Sequence, residues 1–297
     1  MPGARGRSQA PSAATRSDSG GVDRRVTVAD QIALHVRQWP GSRRPFLLVH
    51  GLSSNARLWD PVATRLAAAG HPVTAVDLRS HGESDAPPAG YDTATAASDL
   101  AALGIPGAVV AGQSWGGNVA VELAARHPEL VAGLALVDGG WIAPAEEFPT
   151  WEECEAALRP PKIDGLAASQ LEGFIRSGHP GWSDAAVAAT IANLRVWPDG
   201  TLTRRLSIER HMQIVRSMWD DPPQPYYSAI TAPVLLIPVI PADLHGSEVR
   251  RARIRAAADA MRDATIREYV GGDHDLHAQH PDELAADLLG LAARIGD

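Results

Sequence analysis

One cysteine, Cys154, stands in 297 residues, so the chain has no internal disulfide framework and no four-thiolate zinc site, and nothing in it demands an oxidising compartment. Lysine and arginine form no block beyond short pairs such as Arg204-Arg205 and Arg250-Arg251, and the formal net charge is −8. Nucleic acid is therefore not an expected partner. No stretch approaches the roughly 18 consecutive apolar residues of a membrane span. Residues 1–21, rich in Gly, Ser, Pro, Ala and Arg, lack the apolar run of a signal-peptide core and read as a disordered tail. Their prolines and glycines also oppose the amphipathic helix of an organelle transit peptide. No internal repeat of fixed period is present. These absences together lead us to expect a soluble, cytoplasmic protein.

What is present is a globular balance, 45% hydrophobic and 21% charged, at a length that suits one core domain carrying an insertion. Residues 25–36 alternate in strand fashion and break at Trp39-Pro40-Gly41. The runs 45–49, 73–76, 108–111 and 134–137 are short, continuously apolar and rich in β-branched residues, as strands covered on both faces are. Helical stretches at 59–69, 93–103 and 117–126 separate them, and alternation of this kind predicts a parallel, doubly wound sheet. It resumes at 233–237, with a helix near 249–261, a strand at 265–270 and a last helix at 281–295. In between, segments near 151–158, 166–176, 184–194 and 204–219 read as helices, with tryptophans at 151, 182, 197 and 219 expected mostly in the core. The division is a core of residues 22–141 and 229–297 with a helical cap, or lid, over 142–228.

Three segments carry chemistry. In Val109-Val110-Ala111-Gly112-Gln113-Ser114-Trp115-Gly116-Gly117-Asn118 an apolar strand runs through G-x-S-x-G into a helix, which would put Ser114 on a sharp turn with its hydroxyl above the sheet. His50-Gly51-Leu52-Ser53-Ser54 follows the strand at 46–49. The amides of Leu52 and Trp115 would there form a two-donor oxyanion hole, worth roughly 3–4 kcal/mol per donor. Val270-Gly271-Gly272-Asp273-His274 follows the late strand, and a histidine there can reach across the C-terminal sheet edge towards Ser114.

With His50-Gly51, the segment Asp77-Leu78-Arg79-Ser80-His81-Gly82-Glu83-Ser84, the elbow at 112–116 and His274 seven residues before Pro281, the sequence resembles the α/β-hydrolase superfamily over about residues 25–297 apart from the cap. The resemblance implies a mostly parallel eight-stranded core, a lid and hydrolysis of an acyl or related bond, without naming a substrate. A serine nucleophile disfavours the aspartate-based chemistry of the related haloalkane dehalogenases and epoxide hydrolases.

Two aspartates stand where such proteins place the triad acid. Asp243 follows the later strand, but in Pro238-Val239-Ile240-Pro241-Ala242-Asp243 the usual turn glycine is missing. Asp138 follows the strand ending at Val137, 24 residues beyond Ser114, and is favoured; Asp243 stays as the alternative, and either could instead cap a turn. Asp77, Arg79 and His81 read as a structural loop at the cleft edge. His274, His277 and His280 would share a helix face, but a zinc site needs a further separate ligand, so no metal or cofactor is expected and His277 and His280 read as surface residues. Trp141, His211, Met212 and Trp219 are candidates for the substrate pocket, Met218 beside them. The expectation is a serine hydrolase of a small, largely apolar ester, Ser114 attacking, His274 shuttling the proton and the acid orienting it. A lactone, amide or carbon-carbon bond hydrolase, a natural-product-modifying enzyme, or a binding or signalling protein that keeps the pocket would share these motifs.

Overall fold

The computed structural model describes residues 20–296; the N-terminal tail expected over 1–21 lies, as far as residue 19, outside the described residues. In chain order the strands are β1 (Val22–Thr27), β2 (Ala33–Trp39), β3 (Phe46–Val49), β4 (Val73–Val76), β5 (Ala108–Gln113), β6 (Val131–Val137), β7 (Leu194–Val196), β8 (Leu202–Arg204), β9 (Val234–Ile237), β10 (Val239–Ile240), β11 (Ala264–Ile266) and β12 (Tyr269–Val270). The helices are α1 (Asp60–Ala68), α2 (Thr93–Ala102), α3 (Trp115–Arg126), α4 (Trp151–Leu158), α5 (Ala168–Gly178), α6 (Asp184–Ile191), α7 (Ile208–Asp220), α8 (Leu244–Asp259), α9 (Leu276–Gln279) and α10 (Pro281–Ile295).

The main sheet has eight strands in the order β1-β2-β4-β3-β5-β6-β9-β11. β2 pairs antiparallel with β1 and β4; every other neighbouring pair is parallel. The apolar runs are continuous because both faces are covered. Phe46 and Leu48 of β3 pack into the layer that holds Leu66 of α1 and Leu288 of α10, while Leu47 and Val49 face the layer of Leu100 from α2 and Val119 from α3. The doubly wound sheet is thus the mostly parallel core expected from the motif order. One strand read at 265–270 is in fact two: β11 stays in the main sheet, and after a break β12 pairs with β10 in a two-stranded extension.

Between β6 and β9 the chain leaves the sheet and forms α4 to α7. The helix α7 buries His211, Met212, Ile214, Val215 and Met218, a helical stripe, and its apolar members join the α2–α3 layer. Where helices were expected to run to 194 and from 204, α6 ends at Ile191 and β7 and β8 form an antiparallel hairpin. The cause is local: Asp199 accepts the Thr201 amide at 2.9 Å and Gly200 sits at φ +83, so Pro198-Asp199-Gly200 makes a turn rather than a helix. Of the four tryptophans expected in the core, Trp182 is buried, Trp151 and Trp219 are partly buried and meet edge-on at 5.9 Å, and Trp197 is instead 43% exposed beneath Arg195.

Candidate active site

The turn from β5 into α3 is Ser114, with φ 55 and ψ −127, a conformation that costs a non-glycine residue about 1–3 kcal/mol. Its surroundings hold it there. The Ser114 amide donates to Val137 O at 3.0 Å and its carbonyl accepts from Gly117 N at 2.9 Å. A Cβ on Gly112 would collide with the Gly116 carbonyl, and one on Gly116 with the carbonyl of His50, so only glycine allows β5, α3 and the loop after β3 to close this tightly. A Cβ on Gly51 would strike the Gln113 side chain and lie 2.7 Å from Ser114 Cβ, which puts the 50–54 loop directly against the serine.

His274, on the loop after β12, brings Nδ1 to 2.6 Å from Asp138 Oδ2. Asp138 caps the end of β6 at φ 42, is 3% exposed, and accepts from Val239 N at 2.9 Å and Arg250 Nη2 at 2.5 Å on its other oxygen. Burial works to raise the Asp138 pKa, but His274, Arg250 and the Val239 amide outweigh it and hold the carboxyl below its usual range. For His274 burial works downward, yet the hydrogen bond and charge of Asp138 prevail and the pKa lies above that of a free imidazole. Gln113 Nε2 donates to the His274 carbonyl at 3.2 Å, tying the His274 loop to the residue before the serine. Asp273 accepts from His179 Nδ1 at 3.0 Å and Trp182 Nε1 at 3.1 Å, tying the same loop to the turn between α5 and α6.

The loop after β3 is fixed by neutral histidines. His50 Nδ1–H donates to Gly51 O at 2.7 Å and Nε2 accepts from Leu78 N at 3.0 Å. His81, read as a turn residue, is buried; its Nδ1–H donates to Arg79 O at 2.8 Å and Nε2 accepts the Ser53 amide at 3.2 Å. Burial lowers the His50 pKa and pushes that of His81 down to about 3. Asp77 accepts from His35 Nδ1, Ala56 N and Glu83 N at 2.7, 2.7 and 2.9 Å, and Arg79 pairs with buried Asp99, which makes the 77–84 segment a structural brace.

Ser114 and His274 line one cavity of about 140 Å³ with Leu52, Ser53, Gln113, Thr190 and Asn193. The amide of Trp115 lies in the first turn of α3, where it has no intrahelical acceptor. A second cavity of about 470 Å³ adjoins the other side of the His274–Asp138 pair and includes Trp141, Glu147, Arg250 and Arg253. Of the pocket candidates, Trp141 thus lines the same cavity as Asp138 and His274. His211 is buried with Nδ1 3.0 Å from Ser53 Oγ, and burial pushes its pKa down to about 4. Met212 and Trp219 do not line the serine cavity; Met212 faces a groove with Glu155 and Arg159, and Met218 is buried in the apolar layer.

Asp243 is exposed and accepts the Gly246 amide at 2.6 Å as the N-cap of α8, while the carboxylate on His274 Nδ1 is that of Asp138. The three histidines of the 274–280 run part company. His277, expected at the surface, is fully buried with its ring 4.7 Å from that of Trp59, and His280 lies against Tyr269. The α9 helix ends at Gln279 and docks its inner face on α1, which sequence spacing alone did not reveal. Among the described residues no cluster of three or more His, Cys, Asp or Glu is placed to hold a metal. Thr190, Asn193, Gln113 and Arg250 were not singled out by sequence; only Gln113 lay within a motif.

A model of the alpha/beta hydrolase family matches residues 46–287. The chain is 28% identical over 275 residues to the 2-(acetamidomethylene)succinate hydrolase of Mesorhizobium japonicum, a match covering 88% of this chain and 91% of that protein. It is 27% identical over 290 residues to a non-heme chloroperoxidase of Streptomyces lividans, covering 90% and 98%. A putative non-heme haloperoxidase of Mycobacterium phage D29 is 40% identical over 102 residues, but there the chain spans 37% of the relative's length and the match 33% of this chain. The crystal structure of E-2-(acetamidomethylene)succinate hydrolase superposes with a TM-score of 0.76 at 25% identity, over 91% of this chain and 98% of that one. A thioesterase domain from the curacin biosynthetic pathway has a TM-score of 0.73 at 18% identity, over 91% and 99%, a likeness of fold alone. On the strength of the family match and of the shared core, the chain belongs to the alpha/beta hydrolase family.

Proposed function

We propose that the protein is a serine hydrolase cleaving a carboxylic ester or related acyl bond through an acyl-enzyme. The observation that carries this reading is the joint placement of Ser114 and His274 on one cavity, with the second ring nitrogen of His274 bound to buried Asp138. In this reading Ser114 Oγ attacks the carbonyl carbon, and His274 Nε2 takes the hydroxyl proton and returns it to the leaving group. Asp138 fixes the tautomer with the proton on Nδ1 and stabilises the imidazolium that forms. The amides of Leu52 and Trp115 receive the developing oxyanion. Water then repeats the sequence on the acyl-enzyme. Thr190 and Asn193 close the cavity from the segment over 142–228, which acts as the cap and governs entry.

The full-length relative named for 2-(acetamidomethylene)succinate favours one second reading, in which the acyl bond is that of an amide-bearing acid. A fluorophosphonate probe tests the common core of both readings. It should label wild-type protein at Ser114 and leave Ser114→Ala unlabelled, and the variant should lose up to about a millionfold in turnover. Wild-type protein that resists the probe, or a purified Ser114→Ala that still turns over, defeats the serine mechanism. Chromogenic esters of graded acyl length, run beside anilides, then separate ester from amide preference.

A further inference from the structure

We propose that Arg250 is a positioning residue of the triad, a second cation that divides the Asp138 carboxylate with His274 and so tunes how tightly the imidazole holds its proton. The inference rests on the triad reading. Asp138 offers Oδ2 to His274 Nδ1 at 2.6 Å and Oδ1 to Arg250 Nη2 at 2.5 Å, so the imidazole and the guanidinium sit on opposite oxygens of one buried carboxylate. Arg250 comes from the second turn of α8, the helix that Asp243 caps. The loop after β10, with Asp243 as its cap, therefore starts the helix that supplies a cation to Asp138.

A carboxylate already half neutralised by a guanidinium stabilises an imidazolium less than a free one does, and its plane is held by donors on both sides. Arg250 thus works against Asp138 in setting the basicity of His274. The other charged groups facing the base are few. Asp275 is on its own loop, His277 lies one turn on and stays neutral, and across the adjoining cavity Arg253 is paired with Glu147. Asp273 on the same loop is engaged by His179 and Trp182.

The test is the pH profile of kcat/KM for the full chain with a chromogenic ester. Removing the guanidinium in Arg250→Gln should move the midpoint of the acidic limb upward by about half a unit or more, with activity largely recovered above the new midpoint. Arg250→Lys should bring the midpoint back towards the wild-type value, and Arg253→Gln should leave it in place. If Arg250→Gln does not fold, Arg250→Ala titrated with guanidinium ion carries the test, the midpoint falling as the ion fills the site. A folded Arg250→Gln or Arg250→Ala with the wild-type midpoint overturns the proposal. Asp138→Asn separates the two levels: an active Asp138→Asn removes the triad reading itself, whereas a dead one beside unshifted Arg250 variants removes only the role given to Arg250.

Discussion

The contrast between two aspartates shows what a single side chain's surroundings decide. Asp138 is buried and serves a histidine, a backbone amide and an arginine, while Asp243 is exposed and serves one amide of a helix end. Asp138→Asn should therefore cost on the order of ten-thousandfold in turnover, because the amide no longer enforces the imidazole tautomer that accepts the serine proton. Asp243→Ala should keep its turnover and lose about 1 kcal/mol of unfolding free energy, the ordinary value of an N-cap. Turnover and urea unfolding of both purified variants check this, and a turnover loss confined to Asp243→Ala reverses the assignment. The sequence pointed to both positions because each follows a strand. Motif fit favoured Asp138 but left Asp243 open, since the choice depends on which carboxylate the loop after β12 swings towards, a contact 136 residues distant.

At the scale of elements, legibility followed how locally each was determined. The core strands announce themselves as apolar runs, and the elbow as glycines around a serine, because the reasons lie within a few residues. The split between β11 and β12 and the inward turn of α9 depend on partners elsewhere in the chain, and so escaped; the β7–β8 hairpin turns on local residues, but its strands, three residues each, are too short to read beside the flanking helices. The same holds for the cavity wall: Met212 and Trp219 were pocket candidates from the segment between β6 and β9, but α7 spends its apolar face on the α2–α3 layer. Thr190 and Asn193, at and just beyond the end of α6, stand at the serine cavity instead, and Asn193 is anchored by Asn55. Thr190→Leu should lower kcat/KM more steeply the longer the acyl chain, because it takes volume from a space of about 140 Å³. Met212→Ala should lose about 2–5 kcal/mol of stability with its acyl-length ranking unchanged. A ranking shifted by Met212→Ala and untouched by Thr190→Leu places the acyl chain along α7.

For the molecule as a whole, the buried neutral histidines set an acid limit. Burial lowers the pKa of His50, pushes His81 to about 3 and His211 and His277 to about 4, against 6.5 in the unfolded chain. Below pH 6.5 the unfolded chain binds protons that the folded one refuses, so stability is complete above 6.5 and falls as the pH drops towards 4. Glu122, raised by burial, offsets part of the loss, and Asp77 and Asp138, held low, add theirs only below their unfolded value of 3.8. His274 acts on the other side: its raised pKa adds stability that fades above 6.5. Urea unfolding between pH 6.5 and 4 should show a slope of roughly two to three protons, reduced by about one in His277→Leu. A flat profile there means that these rings are protonated in the fold. The sheet order, finally, has a consequence in time. Ser114 sits at the end of β5 and His274 lies 160 residues later, past β12. At ordinary synthesis rates ~8–32 s separate their translation. On the proposed mechanism, the nascent chain would through that interval carry Ser114 without the histidine it depends on, and activity towards acyl bonds would wait until the residues past β12 have been made.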